Sequence, residues 1–257
     1  MKNCQIEHLP TINDEERSLD LSGILLNISG GTPVLENITF VNHTISFPHI
    51  YGTGTWITLD STDAQFIECS FNNLNTEMSG TATYRKGNVI YQSGGNTMFE
   101  NCTFNDNHLT ADNGAELKGN VYYLESGEVN FNNSTFSDNS ITGTVDNVKG
   151  GVIYVQSGEA TFTNSTIQNS SSSGYGGIAY VDSTGSLTFN TVTIDSSSAV
   201  LDGGAIYSSG PVSLLDTDIS SSSAGGSGGA INITGDLTMS GSNISLSHSG
   251  GSGGAIN

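Results

Sequence analysis

Residues 228–232 read GGAIN, and residues 253–257 read GGAIN again. Related five-residue openings are GTWIT from Gly54, GNVIY from Gly87, GNVYY from Gly119, GGVIY from Gly150, GGIAY from Gly176 and GGAIY from Gly203. Successive openings are separated by 33, 32, 31, 26, 27, 25 and 25 residues. Self-similarity at such a period indicates a solenoid, in which each repeat is one unit that packs against its neighbours.

Each repeat contains three short segments rich in β-branched and aromatic residues, bounded by Gly, Ser or Asn. In the repeat that opens at Gly150 these segments are GGVIYVQ, EATFT and STIQN. This composition predicts strands, and no segment has a helical period. The sequence therefore predicts an all-β fold, a right-handed single-stranded parallel β-helix of about eight coils of 25–33 residues. Leucine-rich repeats have a similar period, but their ladder of leucines is missing.

Two columns of equivalent residues support this alignment. The third segment has one apolar position, occupied by Phe40, Phe71, Phe104, Phe136, Ile167, Ile194, Ile219 and Ile244. Three residues earlier stand Asn37, Asn101, Asn133 and Asn164. Asn is suited to left-handed turns, and stacked copies are expected to form a ladder of side-chain amides. The columns extend back to Asn3, Cys4 and Ile6. We therefore expect residues 1–257 to be one continuous β-helix segment, truncated within a coil at both ends, with no separate domain.

The composition excludes several classes of function. The formal net charge is -19, which argues against a general affinity for nucleic acid or for anionic membranes. No apolar run approaches the ~20 residues of a membrane span, so direct membrane insertion is not expected. The acidic residues lack an ordered calcium-ligand spacing, and we predict neither a metal site nor a cofactor. Cys69 and Cys102 fall at one position of adjacent coils, where we expect buried free thiols.

The repeats resemble those of the polymorphic outer membrane proteins of chlamydiae. In those proteins GGA precedes an aliphatic residue, and FxxN recurs. Here the first motif is GGVI at 150 and GGAI at 203, 228 and 253, with GGIA at 176 as a near match. FxxN stands as Phe104–Asn107 and Phe136–Asn139. The resemblance covers most of the chain from Gly87 onward and implies surface-exposed β-helical passengers that act as adhesins. The wider β-helix class also contains pectate-lyase-like enzymes, so the fold alone does not decide the function.

The first strand of each coil is apolar on both of its faces. Positions three and five after the opening glycine are predicted to face inward, and positions two and four outward. The outward positions are Trp56, Val89, Val121, Val152, Ile178 and Ala205, and then Thr58, Tyr91, Tyr123, Tyr154, Tyr180 and Tyr207. The opposite parity would expose Ile90, Tyr122, Ile153, Ala179 and Ile206.

An apolar outer face needs a cover or a binding partner. The three long links, which end at Lys86, Lys118 and Lys149, could cover Trp56, Tyr91 and Tyr123. Tyr154, Tyr180 and Tyr207 belong to coils with short links. We therefore expect these three rings to be exposed and to bind a sugar or an apolar protein surface. Their combined replacement by Ser is expected to leave the coil intact.

The case for catalysis by charged residues is weaker than the case for binding by the tyrosines. Glu125 and Asp182 would lie two coils apart on the outer face, about 9.6 Å at the backbone. That separation is near the upper end of the range for inverting glycosidases, but any two acids two coils apart share it. Lys86, Lys118 and Lys149 precede three successive openings and should stack. Glu116, Asp112 and Asp146 could neutralise them, and an anion or acidic-glycan contact is the alternative.

These observations favour a non-enzymatic β-helix segment of a larger surface or extracellular protein, acting as an adhesin or a rigid spacer. Its partners would be a host or surface glycan or a protein, and a signal and an anchor would lie outside this sequence. A carbohydrate-active enzyme, either a glycoside hydrolase or a polysaccharide lyase, is the first alternative, with Glu125 and Asp182 as its acids. The second alternative is an extracellular filament subunit that self-associates end to end.

Overall fold

A computed structural model describes residues 2–7, 19–20, 23, 25–47, 50–79, 84–112 and 114–257. The chain winds as a parallel β-helix, because each strand pairs in parallel with the equivalent strands of the coils before and after it. Four ladders of strands run along the helix, one more than the three segments predicted for each repeat. The additional ladder lies in the polar link, where the sequence has too few apolar residues to indicate a strand.

The first ladder contains Leu26–Ser29, Ile57–Asp60, Ile90–Gln92, Tyr122–Leu124, Ile153–Thr163, Ala179–Asn190, Ile206–Ser208 and Ile231–Ile233. The second continues Ile153–Thr163 and Ala179–Asn190 and adds Val34–Phe47, Gln65–Ile67, Asn96–Glu100, Glu128–Asn132, Val212–Leu215 and Leu237–Ser240. The third contains Lys2–Glu7, Val34–Phe47, Ser70–Met78, Thr103–Asn105, Thr135–Ser137, Thr166–Gln168, Thr193–Asp195, Asp218–Ser220 and Asn243–Ser245.

The fourth ladder continues Val34–Phe47 and Ser70–Met78 and adds His108–Ala111, Ser140–Thr142, Ser171–Ser172, Ser198–Ala199, Ser223–Ala224 and His248–Ser249. A short fifth ladder, here called the link ladder, forms where the links are long. It contains Leu19–Asp20, Ile50–Thr53, Tyr84–Lys86, Glu116–Lys118 and Val148–Lys149. A 3-10 helix at Val145–Asn147 precedes its last strand.

Each coil turns at three corners whose residues have left-handed backbone conformations. The first is the predicted asparagine column: φ is 55° at Asn37, 54° at Asn101 and 50° at both Asn133 and Asn164. The second is occupied by Asn42, Asn73, Asp106, Asp138, Asn169, Ser196, Ser221 and Leu246. The third is the opening glycine of each repeat. The prediction of a left-handed turn column is confirmed.

Side-chain amide bonds between coils occur at the second corner rather than at the predicted column. There Asn73 Nδ2 donates to Asn42 Oδ1 at 2.9 Å, and Asn169 Nδ2 donates to Asp138 Oδ1 at 3.2 Å. In the first corner Asn133 Nδ2 donates to Glu100 Oε1, which belongs to the preceding coil. The first corner therefore bonds to the adjacent strand instead of forming an amide ladder.

The interior of the helix is filled by stacked aromatic rings. The predicted apolar column is confirmed: Phe104 stacks on Phe71 at 4.7 Å and on Phe136 at 4.6 Å between ring centroids. A second inner column contains Phe66, Phe99, Phe131, Phe162 and Phe189, and its rings meet the first column edge to face. The two columns together form a thin core that runs along the helix axis.

The Asn of each FxxN motif lies inside the coil. Asn107 is fully buried, donates to Phe71 O at 2.9 Å and accepts from Leu74 N at 3.0 Å. Asn139 repeats the arrangement one coil later, with a bond to Phe104 O at 2.8 Å, and it also accepts from Asn107 Nδ2 at 3.0 Å. The motif thus satisfies backbone groups where the chain turns from the third ladder to the fourth.

The structure describes six turns between Gly87 and Gly253, apart from Asn113, and describes the coils before Gly87 in part. The predicted number of about eight is therefore slightly higher than the number of turns described. The strand Lys2–Glu7 places Ile6 opposite Phe40, in agreement with the predicted extension toward the N-terminus. Cys69 and Cys102 are buried free thiols in adjacent coils, as predicted, and the side chain of Cys4 lies outside the described part.

Candidate functional site

Five tyrosines stack on the outer side of the first ladder, and we call them the tyrosine row. They are Tyr91, Tyr123, Tyr154, Tyr180 and Tyr207, and each pairs in register with the next. Their ring centroids are 5.6, 5.0, 5.2 and 4.9 Å apart in that order, with interplanar angles of 20° or less. The row lies apart from the main core, so the predicted parity of the strand is confirmed at this position.

The position two residues after the opening glycine does not face outward. Trp56, Val89, Val121, Val152, Ile178 and Ala205 are all fully buried in the main core. The prediction failed because the strand begins only at the third position, as at Ile57 and Ile90, and the bend between the opening glycine and that strand does not alternate its side chains. Trp56 is consequently a core residue and not part of an outer binding strip.

Three lysines of the link ladder lie above the tyrosine row. The predicted stacking of Lys86, Lys118 and Lys149 is confirmed by their register. Each ammonium lies over the ring of a tyrosine in the following coil: Lys86 Nζ is 5.2 Å from the Tyr123 centroid, and the Nζ atoms of Lys118 and Lys149 are 5.1 Å from those of Tyr154 and Tyr180. Such ammonium–ring contacts are stabilising by about 0.5–2 kcal/mol each.

Carboxylates compensate the three lysines. Glu116 Oε1 is 2.8 Å from Lys118 Nζ and 4.0 Å from Lys149 Nζ. Lys86 Nζ is 3.6 Å from Glu125 Oε1, a partner that the sequence did not indicate. Of the three acids predicted to neutralise the lysines, Glu116 forms ion pairs with them within the described residues, and Asp112 and Asp146 do not. These contacts favour local neutralisation over binding of an anion.

The two acids considered for catalysis are hydrogen-bond acceptors of the tyrosine row. Tyr91 Oη donates to Glu125 Oε2 at 2.5 Å, and Tyr154 Oη donates to Asp182 Oδ2 at 2.5 Å. Between these two acids in the same column, Gln156 accepts a hydrogen bond from Tyr123. Burial, assisted by the neighbouring carboxylate, raises the pKa of the Tyr91 and Tyr154 phenols above their ordinary value. Both phenols are therefore neutral hydrogen-bond donors at neutral pH.

The expected exposure of Tyr154 is wrong. Its side chain is only 2% exposed, because Lys118 covers it and rings stack on both of its faces. The sequence argument assigned each long link to the coil that the link enters, whereas each lysine reaches the tyrosine one coil further on. Tyr91 and Tyr123 are buried, as the cover hypothesis predicted. Because Tyr154 is buried, replacing Tyr154, Tyr180 and Tyr207 together by Ser should disturb the coil.

Tyr180, Tyr207 and a third ring, Tyr175, form the partly exposed end of the row, which we call the tyrosine edge. Tyr175 occupies the lysine slot of the next coil, in register with Lys149. Its ring meets that of Tyr207 at 5.0 Å and 60°. Sequence reasoning missed Tyr175, although its place immediately before the opening Gly176 is the same as that of the lysines.

The three hydroxyl groups of the tyrosine edge make no hydrogen bond to other residues that the structure describes. The corresponding acceptor positions in the next coils are Ser209 and Thr234, where the earlier coils have Glu125, Gln156 and Asp182. Burial raises the pKa of the Tyr175 and Tyr180 phenols. The edge therefore presents aromatic rings and hydroxyl donors to solvent. The hydroxyl groups of Tyr91, Tyr123 and Tyr154, in contrast, all donate to acceptors within the chain.

We expect Tyr154→Phe to lower the free energy of unfolding by about 1.5 kcal/mol, since it removes a hydrogen bond to a charged group in a buried place. Tyr207→Phe is the matched control, because its hydroxyl has no partner among the described residues, and a change within about 0.5 kcal/mol is expected. Urea denaturation of both variants measures the difference. Equal effects of the two replacements would contradict the assignment of the Asp182 bond.

The described residues contain neither a metal-ion site nor a membrane-spanning helix. Within the ranges given above, no group of three or more His, Cys, Asp or Glu side chains could hold a metal ion. In the same ranges, no helix is long and apolar enough to cross a membrane.

Comparison with known proteins identifies the family. Residues 1–194 match the family described as "Right handed beta helix region". The match covers 194 of 257 residues, so the chain belongs to this family, and the helix is right-handed as predicted. Searches of curated proteins and of solved structures found no match.

Proposed function

We propose that the chain is a non-enzymatic, rigid β-helical segment of a surface or extracellular protein, and that it binds its partner through the tyrosine edge. The observation that carries the non-enzymatic part of this proposal is the set of contacts made by Glu125 and Asp182. The side chains best suited to acid–base catalysis accept hydrogen bonds from buried tyrosines, and Glu125 also pairs with Lys86. Their contacts favour a structural role in holding adjacent coils together.

Rigidity follows from the continuous stacking of the coils. Two inner phenylalanine columns, the tyrosine row and the lysines above it each connect one coil to the next. Nearest-neighbour contacts of this kind give a solenoid its stability and its extended surface. The resemblance of the GGA-aliphatic and FxxN repeats to chlamydial passengers supports an adhesive role for such a surface.

Catalysis is tested by incubating the chain with pectin, alginate and glycan panels and measuring the release of reducing ends. We expect no release above that from a heat-denatured sample. Glu125→Gln is the diagnostic variant, and Glu128→Gln is its control because Glu128 is an exposed acid outside the Glu125 column. Release that Glu125→Gln abolishes and Glu128→Gln leaves unchanged would replace the proposal by the pectate-lyase-like alternative.

Binding is tested on arrays of glycans and extracellular proteins. The double replacement Tyr175→Ser and Tyr207→Ser should reduce binding at least tenfold, while circular dichroism and thermal stability show that the coil is retained. The control is the pair Thr161→Ser and Thr188→Ser, which lies on the second ladder away from the edge. Binding that is unchanged by the tyrosine replacements would contradict a binding role for the edge and leave the chain as a rigid spacer.

A further inference from the structure

The tyrosine row already contacts cations of its own chain. Three times along the row an ammonium lies just over 5 Å from a ring centroid, and it does so with a carboxylate nearby. The last of these is Lys149 over Tyr180, with Glu116 Oε1 4.0 Å from the same Nζ. The geometry of an aromatic ring, a cation and an acid is therefore repeated on this surface at the spacing of the coils.

The repetition stops at the tyrosine edge because the sequence no longer supplies a cation. In the slot that holds Lys86, Lys118 and Lys149, the next two coils have Tyr175 and Asp202. Tyr207 stacks on Tyr180 and meets Tyr175, but within the described residues no ammonium lies over its ring. After Lys149 the sequence contains seven acids and no Lys or Arg.

Acidic side chains lie near the edge: Asp202 has the lysine slot of the coil after Tyr175, and Asp182 accepts a hydrogen bond from Tyr154, whose ring stacks on Tyr180. The negative charges of Asp146 and Asp202 act on the Tyr175 phenol and, after burial, contribute to raising its pKa. The charge of Asp182 acts in the same direction on Tyr180. Lys149 is the one cation described at the tyrosine edge, and it is shared between the Tyr180 ring and Glu116. The edge is thus an aromatic surface with uncompensated negative charge.

We propose that the tyrosine edge binds lysine or arginine side chains of a partner protein, each cation lying over an edge ring as Lys149 lies over Tyr180. This inference rests on the proposed function and specifies its ligand. A cation gains from the ring faces and from Asp146 and Asp202 together. A neutral sugar would gain nothing from the acids, and an anionic glycan would be repelled by a chain of net charge -19.

The test uses the full chain and two defined peptides, one with four lysines and one with the same lysines acetylated. Calorimetry should show that the lysine peptide binds at least tenfold more tightly than the acetylated one, and that binding weakens as salt rises. Tyr175→Leu with Tyr207→Leu should weaken binding of the lysine peptide about tenfold, although it leaves the net charge unchanged. Equal binding by this variant would overturn the proposal and indicate attraction by net charge alone.

Asp202→Asn tests the same proposal if Tyr175→Leu with Tyr207→Leu destabilises the coil. Asp202→Asn retains an acceptor for Ser227 N, which lies 2.6 Å from Asp202 Oδ1, and should weaken peptide binding several-fold. Asp236→Asn removes the same charge from an exposed site outside the edge and should have no comparable effect. Equal effects would overturn the inference.

An array of neutral oligosaccharides separates failure of the inference from failure of the proposed function. Neutral sugars bound through Tyr175 and Tyr207, without binding of the lysine peptide, would overturn the cationic ligand but support the edge as a binding site. If neither class of ligand depends on these tyrosines, the cationic ligand and the binding role of the edge are both wrong.

Discussion

Replacing Phe104 by Ala is expected to lower the free energy of unfolding by about 4 kcal/mol. The ring is fully buried, stacks on Phe71 and Phe136, and meets Phe99 and Phe131 edge to face. Truncation leaves a cavity in the middle of two stacked columns, and the flanking coils cannot close it because their spacing is fixed by backbone hydrogen bonds. Denaturant unfolding followed by circular dichroism measures the change.

Thr103→Ala is the control for this prediction. Thr103 precedes Phe104 on the same strand, and its side chain points to the outer face. We expect a change within about 0.5 kcal/mol, as for a surface position. A cost below about 1 kcal/mol for Phe104→Ala would contradict the placement of the ring inside the coil, and with it the alignment of all columns.

Gly204→Ala should lower the free energy of unfolding by about 3 kcal/mol, at the upper end of the range for overpacking. A Cβ atom at this position would lie 2.1 Å from Gly229 O and 2.6 Å from Ser223 O, both of which are backbone atoms. Neither can turn aside as a side chain would, so adjacent coils must move apart. The same denaturation experiment measures the effect.

Gly94→Ala is the matched control. A Cβ there would meet Ser126 Oγ at 3.4 Å and Ser61 Oγ at 3.6 Å, which are ordinary contacts, so this replacement should change stability by no more than about 0.5 kcal/mol. A tolerated Gly204→Ala would show that the second glycine of the GGAI motif has no steric reason to be glycine.

The contrast between GGAI and GNVI openings has a structural explanation. Where the second residue is Asn88 or Asn120, its side chain bonds to the backbone of the polar link, at Leu74 O and at Asn107 O respectively. Where it is glycine, as at Gly204, the next coil comes too close for any side chain. The residue after the opening glycine is therefore Asn where its side chain can bond to the link, and Gly where the next coil leaves no room for a side chain.

Much of the fold could be predicted from the sequence because its columns repeat. Phe104 and Phe136 recur at one phase of the repeat, as do Asn101 and Asn133. Inward packing and left-handed turns restrict those positions to a few residue types. One period was therefore enough to predict parallel strands, the inner column and the corner.

The candidate site was predicted less well, because the repeat period does not show which neighbouring coil a long side chain contacts. The stacking of Lys118 was predicted, but its reach to Tyr154 of the next coil was not, and this one-coil offset reversed the expected exposure of Tyr154. Trp56 is buried because the corner at the opening glycine interrupts the alternation of inward and outward side chains. A strand-like sequence pattern does not show where such a corner ends. Tyr175 was missed because it replaces a lysine rather than repeating it.

Nitration of the folded chain by tetranitromethane, located by peptide mass spectrometry, tests the central claim that the row has a structural part and an available edge. We predict that Tyr175 and Tyr207 are nitrated in the folded chain, more slowly than Tyr84, which is 37% exposed, and that Tyr154 and Tyr122 react only after unfolding. Nitration of Tyr154 in the folded chain as fast as Tyr175 would contradict this division of the row.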